Sequence, residues 1–223
     1  METLVTLINA VGVAVLILSS VYGMIQLFKR KVPMYFQLTV CAVWCYSVQT
    51  IYSILITLCA KNYRDFSDLS FLGTAAMFMF LASSNFGQFN TLVDEGGKRL
   101  RKIRLAALAA PILAAAYYVF ICVCYEWQNV WFAISFAVVM IPLAISSYYN
   151  VKFTLMKDDG TGFIRGAKPV NIASLVTAVC YLLYVYAGYA GTAIFETLTS
   201  FVAALAISSI VFFADWGRKQ WHK

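Results

Sequence analysis

Long apolar runs, separated by short polar segments, dominate the pattern of this chain. A transmembrane helix needs about 20 mostly apolar residues, and seven runs have that character without an ionisable side chain near the centre. Buried β-strands are shorter, and the strands of a closed barrel alternate polar and apolar residues. We therefore predict seven transmembrane helices, over residues 4–28, 34–59, 70–93, 105–125, 127–151, 169–193 and 197–214.

The composition supports the same interpretation. Of the 223 residues, 62% are hydrophobic and 12% are charged, whereas soluble domains carry about 25% charged residues. The mean hydropathy is +0.77, which excludes a soluble globule and a disordered chain. The predicted fold class is all-α: a polytopic membrane protein formed by one seven-helix bundle that occupies residues 1–223, with little room for a soluble domain.

The positive charges predict the orientation. Fifteen of the 17 lysines and arginines follow the first, third, fifth or seventh predicted span, and only Lys61 and Arg64 lie on the opposite side. Basic loops are retained on the cytoplasmic side of membranes. The N-terminus is therefore expected outside and the C-terminus in the cytoplasm of a multi-pass protein of the cell membrane.

The prolines and the loops add local detail. Pro33 and Pro169 stand at the predicted starts of the second and sixth spans, where a missing N–H costs little. Pro111 and Pro142 lie within the fourth and fifth spans and are expected to kink them. Because the loops are short, consecutive helices are expected to be antiparallel neighbours.

The residue types that usually carry out catalysis or bind metals are not grouped within the predicted spans. No Asp, Glu, His or Lys lies midway along a predicted span, and the single histidine is His222. Proton pumps and intramembrane enzymes place such groups inside the bilayer. We predict neither catalytic nor metal-binding residues and no cofactor, and we interpret the six cysteines as small apolar residues.

Polar and aromatic residues are concentrated in the predicted outer halves of the second, fourth, fifth and sixth spans. They are typical of a pocket in which hydroxyl and amide groups orient a small molecule. The alternative is an aromatic belt at the membrane interface combined with hydrogen bonds between helices. The predicted ligand-binding residues are Gln49, Tyr52, Ser53, Tyr117, Trp131, Tyr181 and Tyr184.

Two features lie toward the predicted cytoplasmic side. Asn85 and Gln88 share a stripe of the third span, where they either transmit a helix movement or hold helices together. A basic loop follows this span. It either fixes the topology and binds anionic headgroups or docks an acidic partner. Its basic residues are Lys98, Arg99, Arg101, Lys102 and Arg104.

One segment resembles a known architecture. Residues 195–198, with the sequence Phe-Glu-Thr-Leu, are similar to the start of the last helix in some microbial rhodopsins, which also have seven spans and an outside N-terminus. Those proteins hold retinal through a Schiff base to a lysine in that helix, but the corresponding position here is Ser208. The resemblance thus implies the architecture without the chromophore.

A second segment has a more specific likeness. Residues 91–111, from Thr91 to Pro111, resemble the third-loop region of seven-helix sensor modules in bacterial signalling proteins. In that group such modules precede histidine kinase or diguanylate cyclase domains, whereas no such domain follows here. The resemblance implies a receptor-like module that acts through a separate cytoplasmic partner.

Together these patterns predict a membrane sensor that binds a small ligand in the outer half of the bundle and signals to a cytoplasmic partner. Two alternatives stay open: a passive facilitator for a small neutral solute, and a non-catalytic membrane assembly subunit. Nucleic acid is not an expected partner, because the basic residues are explained by topology.

Overall fold

A computed structural model describes residues 2–29, 32–59, 69–93, 98–124, 130–157 and 163–220. Within these ranges the backbone forms eight α-helices and no strand, which confirms the all-α prediction. The helices are α1 (Glu2–Leu27), α2 (Met34–Cys59), α3 (Phe71–Val93), α4 (Lys98–Ala107), α5 (Ala109–Cys124), α6 (Val130–Leu155), α7 (Phe163–Ala190) and α8 (Ala193–Gln220).

Within the described residues, six helical stretches are long and apolar enough to cross a membrane. They belong to α1, α2, the α4–α5 pair, α6, α7 and α8. The helix α3 has 23 residues, of which the apolar stretch Phe71–Phe86 has described side chains. These helices indicate a multi-pass membrane protein in a lipid bilayer, as the composition predicts.

Several hydroxyl side chains inside the helices donate to the backbone of their own helix. Thr39 donates to the carbonyl of Tyr35 at 2.8 Å, and Ser174 donates to the carbonyl of Val170 at 2.8 Å. Such bonds to the preceding turn allow a polar residue to lie in an apolar helix without an external partner. Serine and threonine therefore do not interrupt these spans.

The predicted fourth span is divided into two helices at Leu108. Pro111 has no N–H, so the carbonyl of Ala107 loses its normal donor four residues later. Hydrogen bonds still cross the break, from the Leu108 N–H to the Arg104 carbonyl at 3.0 Å and from the Ile112 N–H to the Leu108 carbonyl at 3.3 Å. The span is interrupted without being separated into distant pieces.

Several predicted boundaries were wrong where basic residues occur near a helix end. The sixth span begins at Phe163, so Pro169 lies inside α7, and the seventh continues to Gln220. Likewise α6 extends past residue 151 and includes Lys152. This lysine is 2% exposed, and its ammonium lies 5.3 Å from the ring centroid of Phe153. Long basic side chains have apolar methylene stems, so a basic residue near the end of a span does not by itself end the helix.

The helices form a ring in which sequence neighbours are not always spatial neighbours. The ring runs through α1, α2, α3, α6, α7 and α8, and α5 packs outside it against α6. Thus α3 packs mainly on α2 and α6 instead of on the following span, so the expectation that consecutive spans are neighbours fails for this pair and holds for the other consecutive spans. A buried hydrogen bond of 2.7 Å from Asn85 to Asn150 joins α3 to α6.

The first and last helices run in the same direction. Gly12 lies beside Phe201 and Ala204 near one end, and Tyr22 bonds Asp215 near the other. The two ends of the described chain therefore lie at opposite ends of the bundle. The end that contains the last turns of α1 and α8 is called the basic end below, because Lys29, Arg218 and Lys219 lie there.

A buried carboxylate joins the helices at the basic end. Asp215 is 3% exposed and accepts hydrogen bonds from Tyr22 at 3.1 Å, from Arg218 at 2.7 Å and from Lys219 at 2.6 Å. The Arg218 guanidinium also donates to Gln26 at 3.0 Å and lies 4.7 Å from the ring centroid of Phe36. This Asp215 cluster connects α1, α2 and α8 and satisfies a charge that would be costly if it were buried alone.

The closest approach of α7 and α8 predicts a specific sensitivity. A Cβ at Gly217 would lie 2.5 Å from the carbonyl oxygen of Gly166, so Gly217→Ala must push the two backbones apart. We expect this variant to lower the free energy of unfolding by about 1–3 kcal/mol. Gly188→Ala, for which nothing lies within 4 Å of the new Cβ, is the control and should be neutral or stabilising. Unfolding in mixed micelles measures both variants, and equal stabilities would contradict the packing described.

Candidate functional site

A cavity of about 470 Å³ lies between α1, α2, α3, α7 and α8. Its lining combines aliphatic residues with amides, hydroxyls and tyrosine rings, the mixture that orients small molecules in protein pockets. The polar and aromatic lining residues are Asn9, Tyr46, Gln49, Thr50, Ser53, Thr74, Thr177, Tyr181, Tyr184, Glu196, Thr197, Ser200 and Phe201.

The cavity occupies the half of the bundle opposite the basic end. The α1 and α8 residues that line it come from the first halves of these helices, and the α2 and α7 residues come from the second halves. Because α1 and α8 run toward the basic end while α2 and α7 run away from it, all four contributions lie at one level. This is the half that the charge pattern predicts to be outer.

Dense packing separates the cavity from the basic end. Leu16 and Ile207 line its inner limit at 2% and 0% exposure, and Ile210 and Val211 below them are fully buried. A Cβ on Gly23 would lie 3.1 Å from Val40 and 3.3 Å from Val211, so little space remains between α1, α2 and α8. Between α1, α2 and α8 the cavity is therefore closed toward the basic end in this conformation.

Gln49 is held in place at the cavity wall. Its Oε1 accepts a 2.6 Å hydrogen bond from the hydroxyl of Thr74, which joins α2 to α3. A Cβ on Gly73 would lie 2.5 Å from the Cβ of Gln49 and 2.9 Å from the carbonyl oxygen of Cys45, so only glycine allows this approach. The amide is thus a fixed element of the lining.

Thr177 contributes an unsatisfied hydroxyl. The residue is 1% exposed and lines the cavity, and its Oγ1 has no hydrogen-bond partner among the described residues. Leaving a buried hydroxyl without a hydrogen bond costs about 1–3 kcal/mol. A molecule in the cavity that offers a donor or acceptor to Thr177 recovers that energy.

Glu196 gives the cavity a carboxyl group. Among the described lining residues it is the one acidic or basic side chain, and it lies in the first turn of α8. The helix dipole favours a carboxylate at this position. The sequence predicted no role for Glu196 in binding, because an acidic residue at a helix start is usually explained by the dipole alone.

The structure brings together four of the seven predicted ligand-binding residues. Gln49, Ser53, Tyr181 and Tyr184 line the cavity.

The other three predicted residues do not line the cavity. Tyr52 is half-buried, Tyr117 donates a 2.5 Å hydrogen bond to the carbonyl of Leu182, and Trp131 is 51% exposed on the outside of the bundle. Tyr117 and Trp131 belong to α5 and α6, neither of which contributes to the cavity. Tyr117 is kept from the cavity because α5 lies outside the ring, and Trp131 is exposed on α6, which packs away from the cavity; short loops reveal neither.

The contributions of α1 and α8 were missed. Asn9 and Ser200 are polar residues near the predicted outer ends of the first and last spans, where polar residues are common, so no local signal marks them as ligand contacts. What places them at the cavity is the parallel packing of the first and last helices. This contact spans almost the whole sequence and is not visible as a motif.

Of the two residues assigned to transmission, Asn85 has a defined contact. It is 2% exposed and donates to Asn150, which in turn donates to Ser146 at 3.2 Å. The side chain of Gln88 lies outside the described part of the structure. Asn150 was not predicted, because the fifth span was expected to end next to it.

In the basic loop, Arg101 and Lys102 are exposed on α4 and Arg104 is half-buried. The side chains of Lys98 and Arg99 lie outside the described part. The segment Lys98–Ala107 is helical, so these cations extend a span instead of forming an irregular loop.

The described residues contain no group of three or more His, Cys, Asp or Glu side chains placed to hold a metal ion. Cys122 and Cys180 are buried in the bundle as thiols, and Cys41, Cys45 and Cys124 are half-buried thiols.

Comparison with protein-family models, with curated proteins and with solved structures finds no match to this chain. The resemblances stated above therefore stay predictions. The functional interpretation depends on the geometry of the bundle itself.

The Asn85–Asn150 bond predicts energetic coupling between α3 and α6. Hydrogen bonds between membrane helices contribute about 0.6 kcal/mol on average and up to about 1.7 kcal/mol. A double-mutant cycle of Asn85→Ala and Asn150→Ala should give a coupling free energy in this range, measured by unfolding in mixed micelles. The pair Ser83→Ala and Asn150→Ala is the control, since Ser83 is exposed. Additive effects for both pairs would contradict the assignment.

Proposed function

We propose that this chain is a receptor-like sensor of the cell membrane, in which a small molecule binds the cavity and changes the packing of the basic, cytoplasmic end. The observation that carries the proposal is the cavity itself: its lining includes hydroxyl and amide groups, it contains the unsatisfied hydroxyl of Thr177, and dense packing limits it toward the basic end. The proposed orientation has the N-terminus outside.

The parallel directions of α1 and α8 support seven crossings. Helices that run in the same direction at the two ends of a chain require an odd number of crossings. Six stretches have the length of a span, so α3 supplies the seventh. The positive-inside distribution then favours the basic end as the cytoplasmic one.

The cavity favours a small ligand that is neutral or positively charged. Its hydroxyls and the Gln49 amide offer hydrogen bonds, Glu196 offers one negative charge near the mouth, and Leu16, Met77 and Ile207 offer an apolar floor. A compact amphiphile with one amine or hydroxyl group matches this arrangement. An anion would meet Glu196 without a cation in the described lining to offset it.

Helix α3 provides a physical route for the signal. Thr74 contacts Gln49 at the cavity, and Asn85 contacts Asn150 three turns closer to the basic end. A ligand that draws Gln49 away from Thr74 changes the position of α3 against α2. Since α3 also packs on α6, the same movement reaches the basic end through the Asn85–Asn150 bond.

A thermal-shift screen tests ligand binding. The panel consists of small neutral and primary-amine amphiphiles added to the purified chain, because a ligand at 100 times its Kd stabilises by about 2.7 kcal/mol. For a compound that stabilises the wild type, Tyr184→Phe should weaken binding by about 5- to 10-fold, as expected for loss of one hydrogen bond. Tyr186→Phe is the matched control, because Tyr186 is also on α7 and is 41% exposed against 39% for Tyr184, yet does not line the cavity.

The variant Thr177→Val separates an effect on ligand affinity from an effect on stability. Because the hydroxyl has no partner among the described residues, its removal should leave the ligand-free stability unchanged or raise it, while ligand affinity falls. Equal ligand affinities for all three variants and the wild type would place the binding site elsewhere.

A flux measurement separates the sensor from the facilitator. A one-sided cavity predicts no acceleration of glycerol or urea entry into proteoliposomes over protein-free liposomes. A clear acceleration that Tyr184→Phe alters would favour the facilitator and contradict the sensor.

A further inference from the structure

A second concavity lies on the outer surface of the bundle between α7 and α8. Its volume is about 630 Å³, and its walls are almost entirely apolar. Ile172 and Val176 on α7 and Val202 and Leu205 on α8 are 40% to 50% exposed along it, although they lie within spans. In a membrane this groove faces hydrocarbon, so its natural occupant is a lipid chain.

Small residues create the groove. Ala173 and Ala206 lie between the larger side chains, and Ser209 turns its hydroxyl to the carbonyl of Ala206 at 2.7 Å, so that it presents little polarity to the groove. The backbones of α7 and α8 approach closely at Gly166 and Gly217, next to the end of the groove that Arg165 lines. The surface is a shallow groove along two helices.

Two basic residues line one end of the groove. Arg165 is exposed and Lys168 is half-buried, and both lie in the first two turns of α7 at the basic end. They are three residues apart and therefore lie on the same face of the helix. Positive charge next to an apolar channel complements a lipid that has a phosphate at one end and an acyl chain at the other.

The length of the groove along α7 is close to the thickness of the hydrocarbon layer of one leaflet. From Arg165 to Val176 the helix rises about 16 Å at about 1.5 Å per residue. Half of a typical hydrocarbon core is about 15 Å. An acyl chain that starts at the two cations therefore ends near the middle of the bilayer.

We propose that the α7–α8 groove is a binding site for one anionic phospholipid of the leaflet at the basic end. Arg165 and Lys168 hold the phosphate and the headgroup, and one acyl chain lies over Ala173, Ala206 and Ser209. The site does not depend on the sensor proposal, because it lies on the outer surface and shares no lining residue with the cavity.

Native mass spectrometry of the full chain in detergent tests the site. The probes are dioleoylphosphatidylglycerol and dioleoylphosphatidylcholine, which differ in charge but not in chains. From the attraction of two basic residues for an anionic surface we expect about 30-fold tighter binding of one phosphatidylglycerol. Arg165→Gln combined with Lys168→Gln should remove most of this preference. Arg101→Gln combined with Lys102→Gln, which changes two exposed cations at the same end, should retain it.

Filling the groove tests the acyl-chain contact separately. Ala206→Phe should weaken retention of both lipids at least 5-fold, and Val202→Trp, at an exposed wall position, provides the same obstruction if the first variant does not fold. Ala116→Phe on the exposed side of α5 is the control. Soluble glycerol phosphate at millimolar concentration should not displace phosphatidylglycerol.

Three results would overturn the proposal. The first is an equal loss of phosphatidylglycerol preference in both charge pairs, which would mean general attraction to the basic end. The second is unchanged lipid retention in both filled variants. The third is displacement by glycerol phosphate, which would identify a site for free anions.

Discussion

Hydrocarbon cannot hydrogen-bond to a protein, and this constraint determines where the polar groups of the chain lie. Helices satisfy the backbone within each segment. Many polar side chains then bond to the preceding turn, as Thr39 does, join two helices, as Asn85 and Asn150 do, or line an internal space. The cavity is thus a place where several polar groups share one volume that lipid does not occupy.

The two halves of the bundle differ in how their polar side chains are arranged. At the basic end a buried carboxylate, Asp215, has ionic and hydrogen-bonded partners on α1 and α8, which leaves that end closed. In the opposite half, hydroxyls and amides surround open space, and Thr177 lacks a partner among the residues described. A densely packed end and an open opposite half suit binding from one side better than passage through the bundle.

The helical class and most spans follow from the length of the apolar runs, and the bounds of α2 were predicted correctly. The errors arise where the sequence pattern is ambiguous: Lys152 and Arg218 lie in helices that were expected to end earlier, because charged side chains at an interface do not stop a helix. The sequence also predicted part of the cavity lining, namely Gln49, Ser53, Tyr181 and Tyr184. The contributions of α1 and α8 were not predicted, since they depend on packing between the first and last spans. Trp131 was assigned to the pocket only because its predicted depth in the membrane matched.

The central claim is that the cavity is reached from outside the cell and is sealed from the basic end. Its most direct measurement is thiol labelling of intact cells with a membrane-impermeant maleimide, in a chain whose six cysteines are replaced. Ser200→Cys, in the cavity wall, should be labelled from outside, whereas Lys157→Cys, at the basic end, should be labelled only after permeabilisation. Labelling of Lys157→Cys in intact cells, with Ser200→Cys protected until permeabilisation, would contradict the account.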